Sequence, residues 1–116
     1  DVRTTLKKEQ EYDAYLNLIN KYDGFNFEVQ EYYFLGENNT IGRDKKNTIE
    51  INDKYLSKFH ARILQDEDMY FLEDLKSANG TYLNDERIED AIELKSGDVI
   101  RLGSLKFLFE QDEKDV

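Results

Sequence analysis

Three short segments of this chain carry side chains that suit the binding of a phosphate group. Gly42-Arg43, residues 57–60 and residues 77–81 contribute a guanidinium, a hydroxyl and an amide. A guanidinium can hold two phosphate oxygens at once, and hydroxyl and amide groups supply further hydrogen-bond donors. Because binding groups commonly gather on turns that a rigid sheet supports, we expect the three segments to form one anion-binding site.

The first two segments each have an ordinary structural alternative. Arg43 follows the apolar Ile41 and precedes a polar loop, so we expect it to leave a sheet at a strand end. The alternative is an exposed arginine paired with Asp44, which would contribute little to stability. Ser57 and Lys58 lie in a polar turn, where a hydroxyl and adjacent backbone N–H groups form a small anion-binding nest. The alternative is a turn serine that bonds its own backbone.

His60, Asn79 and Gly80 complete the set of candidate residues. His60 is the only histidine, and neither further metal ligands nor an orienting acid with an oxyanion-hole motif accompanies it. We therefore expect no metal site and no catalytic residue, and we expect the ring to bond loop backbone and brace the Ser57 turn. Asn79-Gly80 is a strong turn dipeptide that a plain hairpin explains. The Asn79 amide also suits gripping the backbone of an extended peptide.

Short strands are predicted to position these segments. Past Gly24, runs rich in aromatic and β-branched residues alternate with turns of Gly, Asn, Asp and Ser. Many short strands at even spacing indicate an all-β, two-sheet sandwich rather than βαβ units. The strands are predicted at residues 28–35, 40–42, 48–51, 61–65, 69–75, 81–83, 87–88, 92–94, 99–102 and 105–110.

An amphipathic helix is predicted ahead of the strands, at residues 6–22. Its apolar residues fall at helical spacing while charged residues occupy the other faces, and the apolar set is Tyr12, Tyr15, Leu16, Ile19 and Tyr22. We expect this helix to dock on its own sandwich rather than to dimerise. The predicted organisation is a helical extension at 1–24, one domain at 25–111 and an acidic tail at 112–116.

The charge composition limits the classes of partner that this chain can bind. The 116 residues suffice for one domain, and the net charge of −10 repels nucleic acid and anionic lipid. We therefore expect no nucleic-acid partner and no direct membrane contact from this segment. Residues 40–62 nevertheless carry six basic and three acidic side chains, a local excess that attracts a compact anion. The absence of cysteine fits a reducing, cytoplasmic location, including the cytoplasmic part of a larger, membrane-anchored protein.

The order and spacing of the motifs resemble the forkhead-associated (FHA) domain family. Gly42-Arg43 is followed after thirteen residues by Ser57-x-x-His60, and after eighteen more by Asn79-Gly80-Thr81. The resemblance covers about residues 27–110 and extends to the apolar residues between the motifs. It implies an FHA-type sandwich of about eleven strands that binds phosphothreonine peptides through loops at one end.

The resemblance also assigns roles to the candidate residues. It implies that Arg43 and Ser57 contact the phosphate, that Lys58 assists them, and that Asn79 bonds the peptide main chain. The residues that it implies shape the loops are Gly42, His60 and Gly80. Ala78 stands where the family often has Thr or Ser, so one hydroxyl contact to the phosphate is absent from this chain.

The sequence therefore predicts a phosphopeptide-recognition module with a signalling or scaffold role in a larger protein. Threonine is favoured over serine if its methyl group fills a small apolar pocket beside the phosphate. The alternative is a phosphate-independent assembly module that uses a sandwich face or the N-terminal helix. No nucleophile, metal or Gly-rich cofactor motif is present, so we expect no enzyme and no cofactor.

Overall fold

The computed structural model describes residues 13–20 and 27–112, and these residues form eleven strands and no helix. The six-stranded sheet has the order β2-β1-β11-β10-β7-β8, and the five-stranded sheet has the order β4-β3-β5-β6-β9. This architecture confirms the predicted all-β, two-sheet sandwich. The strands are β1 Ala14–Leu18, β2 Tyr32–Phe34, β3 Asn38–Gly42, β4 Ile49–Glu50, β5 Ala61–Asp66, β6 Met69–Asp74, β7 Thr81–Leu83, β8 Glu86–Arg87, β9 Ile92–Leu94, β10 Val99–Leu102 and β11 Leu105–Gln111.

Alternating side chains build the core between the two sheets. Along β11, Leu105, Phe107 and Phe109 are fully buried, while the residues between them face outward. Tyr70 from the opposite sheet packs on Phe109 with ring centroids 5.5 Å apart. Each fully buried side chain of this size contributes about 1.5 to 3 kcal/mol of hydrophobic stabilisation. The last strand therefore anchors the six-stranded sheet to the core.

The prediction of a helix at residues 6–22 is wrong for residues 13–20, the part of that segment that the structure describes. Residues Ala14–Leu18 form β1, which pairs with β11 on one side and β2 on the other. Ala14, Leu16 and Leu18 are buried and the two residues between them face outward, which is the period of a strand. Pairing on both edges outweighs the helical spacing seen in the sequence. Residues 1–12 and 21–26 lie outside the described part of the chain.

The other ten strands lie where the sequence predicted them, with boundaries shifted by a few residues. The largest difference is in β2, because only Tyr32–Phe34 of the predicted strand at 28–35 joins the sheet. Of the acidic tail predicted at 112–116, residues 113–116 lie outside the described residues. No helix within residues 13–20 and 27–112 is long and apolar enough to cross a membrane.

Four connections meet at one end of the sandwich, which we call the binding end. They are the β3–β4, β4–β5 and β6–β7 loops and the β10–β11 turn. Asp53 of the β4–β5 loop is 1 % exposed, and its Oδ2 accepts a hydrogen bond from the Ser104 backbone N–H at 2.7 Å. Its Oδ1 accepts another from the Tyr55 N–H at 3.0 Å. A buried carboxylate thus fixes the β4–β5 loop to the six-stranded sheet.

Candidate functional site

The segments that carry Arg43 and Ser57 are joined through their backbones. The Arg43 N–H donates to the Ser57 carbonyl at 3.1 Å, and the Asp44 N–H donates to the Lys58 carbonyl at 3.1 Å. The Arg43 Nε donates to the carbonyl of Leu56. The two terminal guanidinium nitrogens form no hydrogen bond or ion pair with any described residue. The side chain is therefore held at its Nε while the part that suits a phosphate stays available.

Gly42 is the residue that permits this close approach. A Cβ added at Gly42 would lie 2.2 Å from the Lys58 carbonyl oxygen and 2.8 Å from the Asn47 Nδ2. Asn47 is 7 % exposed, and its Nδ2 donates to the carbonyls of Asp44 at 2.8 Å and Lys58 at 2.6 Å. Hydrogen bonds from Asn47 thus join the β3–β4 and β4–β5 loops beside Gly42, where no side chain fits.

His60 connects the Ser57 turn to the β6–β7 loop. The ring is fully buried, its Nδ1 accepts the Ser57 backbone N–H at 3.0 Å, and its Nε2 lies 2.8 Å from the Gly80 carbonyl oxygen. An accepting Nδ1 leaves the proton on Nε2, so the ring donates to Gly80 as a neutral imidazole. Both ring nitrogens are used by backbone groups, which leaves neither for a metal ion or a reacting proton.

The third segment meets the second through two further hydrogen bonds. The Ala78 backbone N–H donates to the Ser57 Oγ at 2.9 Å, and the Asn79 Nδ2 donates to the Tyr55 carbonyl at 2.9 Å. Because the Ser57 Oγ accepts from Ala78, its own proton remains for another acceptor. Asn79 is exposed, and its Oδ1 makes no hydrogen bond within the described residues. These groups lie side by side at the surface of the binding end.

A carboxylate beneath the β6–β7 loop holds that loop in shape. The Asp74 Oδ1 accepts hydrogen bonds from the Ser77 hydroxyl at 2.5 Å and the Thr81 hydroxyl at 2.7 Å, and the Ser77 Oγ accepts the Gly80 N–H at 2.9 Å. Burial by itself raises the pKa of the Asp74 carboxyl, but the hydrogen bonds from Ser77 and Thr81 outweigh it and lower the pKa below its ordinary value. The carboxylate is therefore ionised at neutral pH.

Fewer basic side chains surround the binding end than the count over residues 40–62 suggests. Lys45, Lys46, Lys54 and Lys58 are exposed around the loops. Arg62, counted with them in the sequence, instead pairs with Glu73 at 2.7 Å on the five-stranded sheet. Among the described residues, no group of three or more His, Cys, Asp or Glu side chains is arranged to hold a metal ion. The site is therefore a set of hydrogen-bond donors surrounded by exposed cations.

The structure thus brings Arg43, Ser57, Lys58 and Asn79 to one end of the sandwich. It places Gly42, His60, Ala78 and Gly80 among the contacts that join their loops. The sequence reasoning missed the supporting roles of Asn47, Asp53 and Asp74. Each is a polar residue whose importance depends on partners from a different loop or strand, and no local sequence signal identifies those partners.

A known family of domains matches most of the described sandwich. The family model described as the FHA domain matches residues 39–103, which is more than half of the chain. This chain belongs to the FHA domain family. The resemblance seen in the sequence is therefore confirmed.

Two bacterial members illustrate the relationship. The chain is 37 % identical over 70 residues to the transcriptional regulatory protein EmbR of Mycobacterium tuberculosis, covering 60 % of this chain and 18 % of EmbR. It is 36 % identical over 63 residues to the FHA domain-containing protein FhaB of the same species, covering 54 % of this chain and 41 % of FhaB. The chain thus spans less than half the length of either relative.

Solved FHA structures superpose closely on the chain. An FHA domain solved in a structural and functional study of phosphothreonine-dependent FHA domain interactions has a TM-score of 0.74 and 30 % identity, covering 87 % of this chain and 98 % of that one. The structure of Mycobacterium tuberculosis EmbR in complex with a low affinity phosphopeptide has a TM-score of 0.75 and 30 % identity, covering 98 % of this chain and 30 % of EmbR.

Proposed function

We propose that this FHA domain is a phosphothreonine-recognition module with a signalling or scaffold role in a larger, cytoplasmic protein. The observation that carries the proposal is the hydrogen bond from the Ala78 N–H to the Ser57 Oγ at 2.9 Å. It turns the Ser57 hydroxyl into a directed donor beside the guanidinium of Arg43. A hydroxyl donor and a planar cation on adjacent loops match the oxygens of one phosphate group.

The proposed contacts divide between the phosphate and the peptide backbone. Arg43, Ser57 and Lys58 bind the phosphate, and the Asn79 amide bonds the main chain of the ligand. A hydrogen bond to a charged group contributes about 1.5 to 3 kcal/mol. A few such bonds give micromolar affinity, which corresponds to about 8 kcal/mol, without a large interface. The bonds that join the loops support the proposal because they fix the donors before the ligand arrives.

Titration with matched peptides tests this function. A peptide containing phosphothreonine is expected to bind, while the same peptide with threonine is expected not to bind detectably. Replacing Arg43 with alanine is expected to weaken phosphopeptide binding about 10- to 150-fold, the loss of one charge-assisted contact. Replacing Arg43 with lysine keeps the charge but not the planar pair of donors, so partial recovery is expected.

A control variant and a refuting outcome complete the test. Lys95 is exposed in the β9–β10 turn and pairs with Glu93 of β9 at 2.8 Å, so Lys95→Ala removes a cation outside the proposed site. Its affinity is expected to equal that of the unmodified chain. Equal binding of the phosphorylated and unphosphorylated peptides would refute phosphate recognition and would favour the phosphate-independent assembly role.

A phosphoserine peptide adds a second comparison. If the threonine methyl group contributes, phosphothreonine binds more tightly than phosphoserine by about the value of one buried methyl group, 0.8 kcal/mol or roughly 4-fold. Equal affinities would remove threonine selectivity from the proposal and leave phosphate recognition intact.

A further inference from the structure

A row of three cations and one tyrosine crosses the outer face of the six-stranded sheet. In the strand register, Arg87 lies opposite Tyr82, Tyr82 opposite Arg101, and Arg101 opposite Lys106. The inward-facing residues that alternate with them on β10 and β11 are buried. We call Arg87, Tyr82, Arg101 and Lys106 the basic row. Three strand spacings give it a length of about 14 Å.

None of the three cations has an acidic partner among the described residues. Arg101 stacks on the Tyr82 ring with its Cζ 3.9 Å from the ring centroid, which orders the guanidinium without neutralising it. Lys106 stands directly opposite Arg101, and like charges in that position are destabilising. The chain has 26 acidic and only 16 basic residues, so an unpaired basic row is unexpected on composition alone.

The other sheet shows the ordinary arrangement. There Arg62 lies opposite Glu73 in the register, and the two side chains form an ion pair at 2.7 Å. Opposite charges that face each other across a strand pair stabilise a sheet, whereas the like charges of Arg101 and Lys106 destabilise it. Local departures from a stabilising pattern concentrate at functional sites. The basic row is therefore a candidate binding surface.

The basic row begins at the binding end. A Cβ added at Gly80 would lie 2.8 Å from the Arg87 Nε, so the Arg87 side chain packs over Gly80. Gly80 follows Asn79, the residue proposed to hold the ligand backbone. The β10–β11 turn, just before Lys106, is tied to the β4–β5 loop by Asp53. The row is thus the part of the sheet face nearest the proposed phosphopeptide site.

We propose that the basic row binds acidic side chains on the same ligand chain that carries the phosphothreonine. This inference rests on the proposed function and deepens it, because it selects phosphothreonine segments with flanking Asp or Glu. The guanidinium edge of Arg101 remains open for a carboxylate while its face covers Tyr82. Exposed ion pairs contribute about 1.4- to 5-fold in affinity each, so the effect is one of selectivity among phosphopeptides.

Paired peptides measure this selectivity. Two sets carry one phosphothreonine each, with three glutamates or three glutamines placed on its N-terminal side in one set and on its C-terminal side in the other. In at least one set, the glutamate peptide is expected to bind about 3- to 30-fold more tightly than its glutamine match. The ratio is expected to shrink at high salt, because exposed charges are screened.

Charge-neutral variants identify the source of the preference. Arg87→Gln, Arg101→Gln and Lys106→Gln, singly and together, are expected to bring the ratio of the two affinities toward one. Lys95→Gln removes a cation from the β9–β10 turn, outside the basic row, and is the matched control, so it is expected to keep the full ratio. Far-ultraviolet circular dichroism checks that each variant retains its strands.

The outcomes separate this inference from the proposed function. If the unmodified chain binds phosphopeptides but treats the glutamate and glutamine peptides alike in both sets, the basic row proposal is overturned and phosphate reading stands. A preference that survives in the triple variant also overturns it. If no phosphorylated peptide binds better than its unphosphorylated match, the proposed function fails and this inference fails with it.

Discussion

Replacing Gly42 with alanine tests whether the loops of the binding end are held by close backbone contact. The new Cβ would lie 2.2 Å from the Lys58 carbonyl oxygen and 2.7 Å from its carbon, and both are backbone atoms that cannot rotate away. Ordinary contacts to a Cβ begin near about 3.4 Å, so the Lys58 backbone must move by roughly 1 Å. That shift breaks or lengthens two hydrogen bonds to the Lys58 carbonyl, from the Asp44 N–H and the Asn47 Nδ2.

The expected loss follows from these contacts. Two hydrogen bonds contribute about 1 to 3 kcal/mol together, and overpacking adds about 1 to 3 kcal/mol. We expect Gly42→Ala to lower the free energy of unfolding by about 2 to 6 kcal/mol, a large part of the 5 to 15 kcal/mol typical of a domain. Urea denaturation followed by circular dichroism measures it, since a loss of 3 kcal/mol moves the midpoint by about 1 to 3 M.

Gly36→Ala is the matched control for this change. A Cβ at Gly36 would meet only the Asn39 Oδ1 at 3.9 Å, which is ordinary contact. We expect its unfolding free energy to stay within about 0.5 kcal/mol of the unmodified chain. If Gly42→Ala proved as stable as Gly36→Ala, the close approach of the β3–β4 and β4–β5 loops would be refuted.

Three further changes have expected outcomes. Ala78→Ser adds a hydroxyl beside Ser57 and is expected to tighten phosphothreonine-peptide binding by about 10- to 150-fold in a titration, the gain of one hydrogen bond to a charged group. An unchanged affinity would place that hydroxyl away from the phosphate. Lys106→Glu puts opposite charges across β10 and β11 and is expected to raise the urea-derived unfolding free energy by about 0.2 to 1 kcal/mol, whereas a loss would contradict the unpaired arrangement. Because the pKa of Asp74 is lowered from 3.8, its ionised form stabilises the fold above that pH and the benefit is lost as the pH falls through the folded-state pKa. Thermal melts of Asp74→Asn should therefore show a deficit at neutral pH that closes below about pH 3.8, and a constant deficit would count against an ionic role.

The sequence correctly predicted the strands in which buried and outward-facing residues alternate along the strand itself. Leu105, Phe107 and Phe109 alternate with outward-facing neighbours, and the glycine and asparagine turns separate most other strands correctly. It failed at β1, where Tyr15, Leu16 and Ile19 satisfy helical spacing while Ala14, Leu16 and Leu18 satisfy strand alternation. Pairing with β2 and β11 decides the outcome, and those partners are distant in sequence.

The candidate site shows the same division between local and distant information. Arg43, Ser57 and Asn79 were identified from residue type, order and spacing, and the structure places them on neighbouring loops. The contacts that hold those loops were not predictable. Asn47 reaches a carbonyl eleven residues away, and Asp53 bonds a turn fifty-one residues away. Such pairs depend on the finished fold, so a single sequence carries no direct signal for them.

The pairing of β1 with β11 has a mechanical consequence. Ala14 lies opposite Gln111, and the Ser96 hydroxyl bonds the Gln111 backbone at the β9–β10 turn. The first and last strands therefore begin and end on the side of the sandwich opposite the binding end. Directly opposed residues in an antiparallel pair lie about 5 Å apart. The binding end therefore points away from the positions where β1 begins and β11 ends. A pulling force applied at Ala14 and Gln111 would separate β1 from β11 one residue pair at a time, starting at that side, before it disturbed the loops of the binding end.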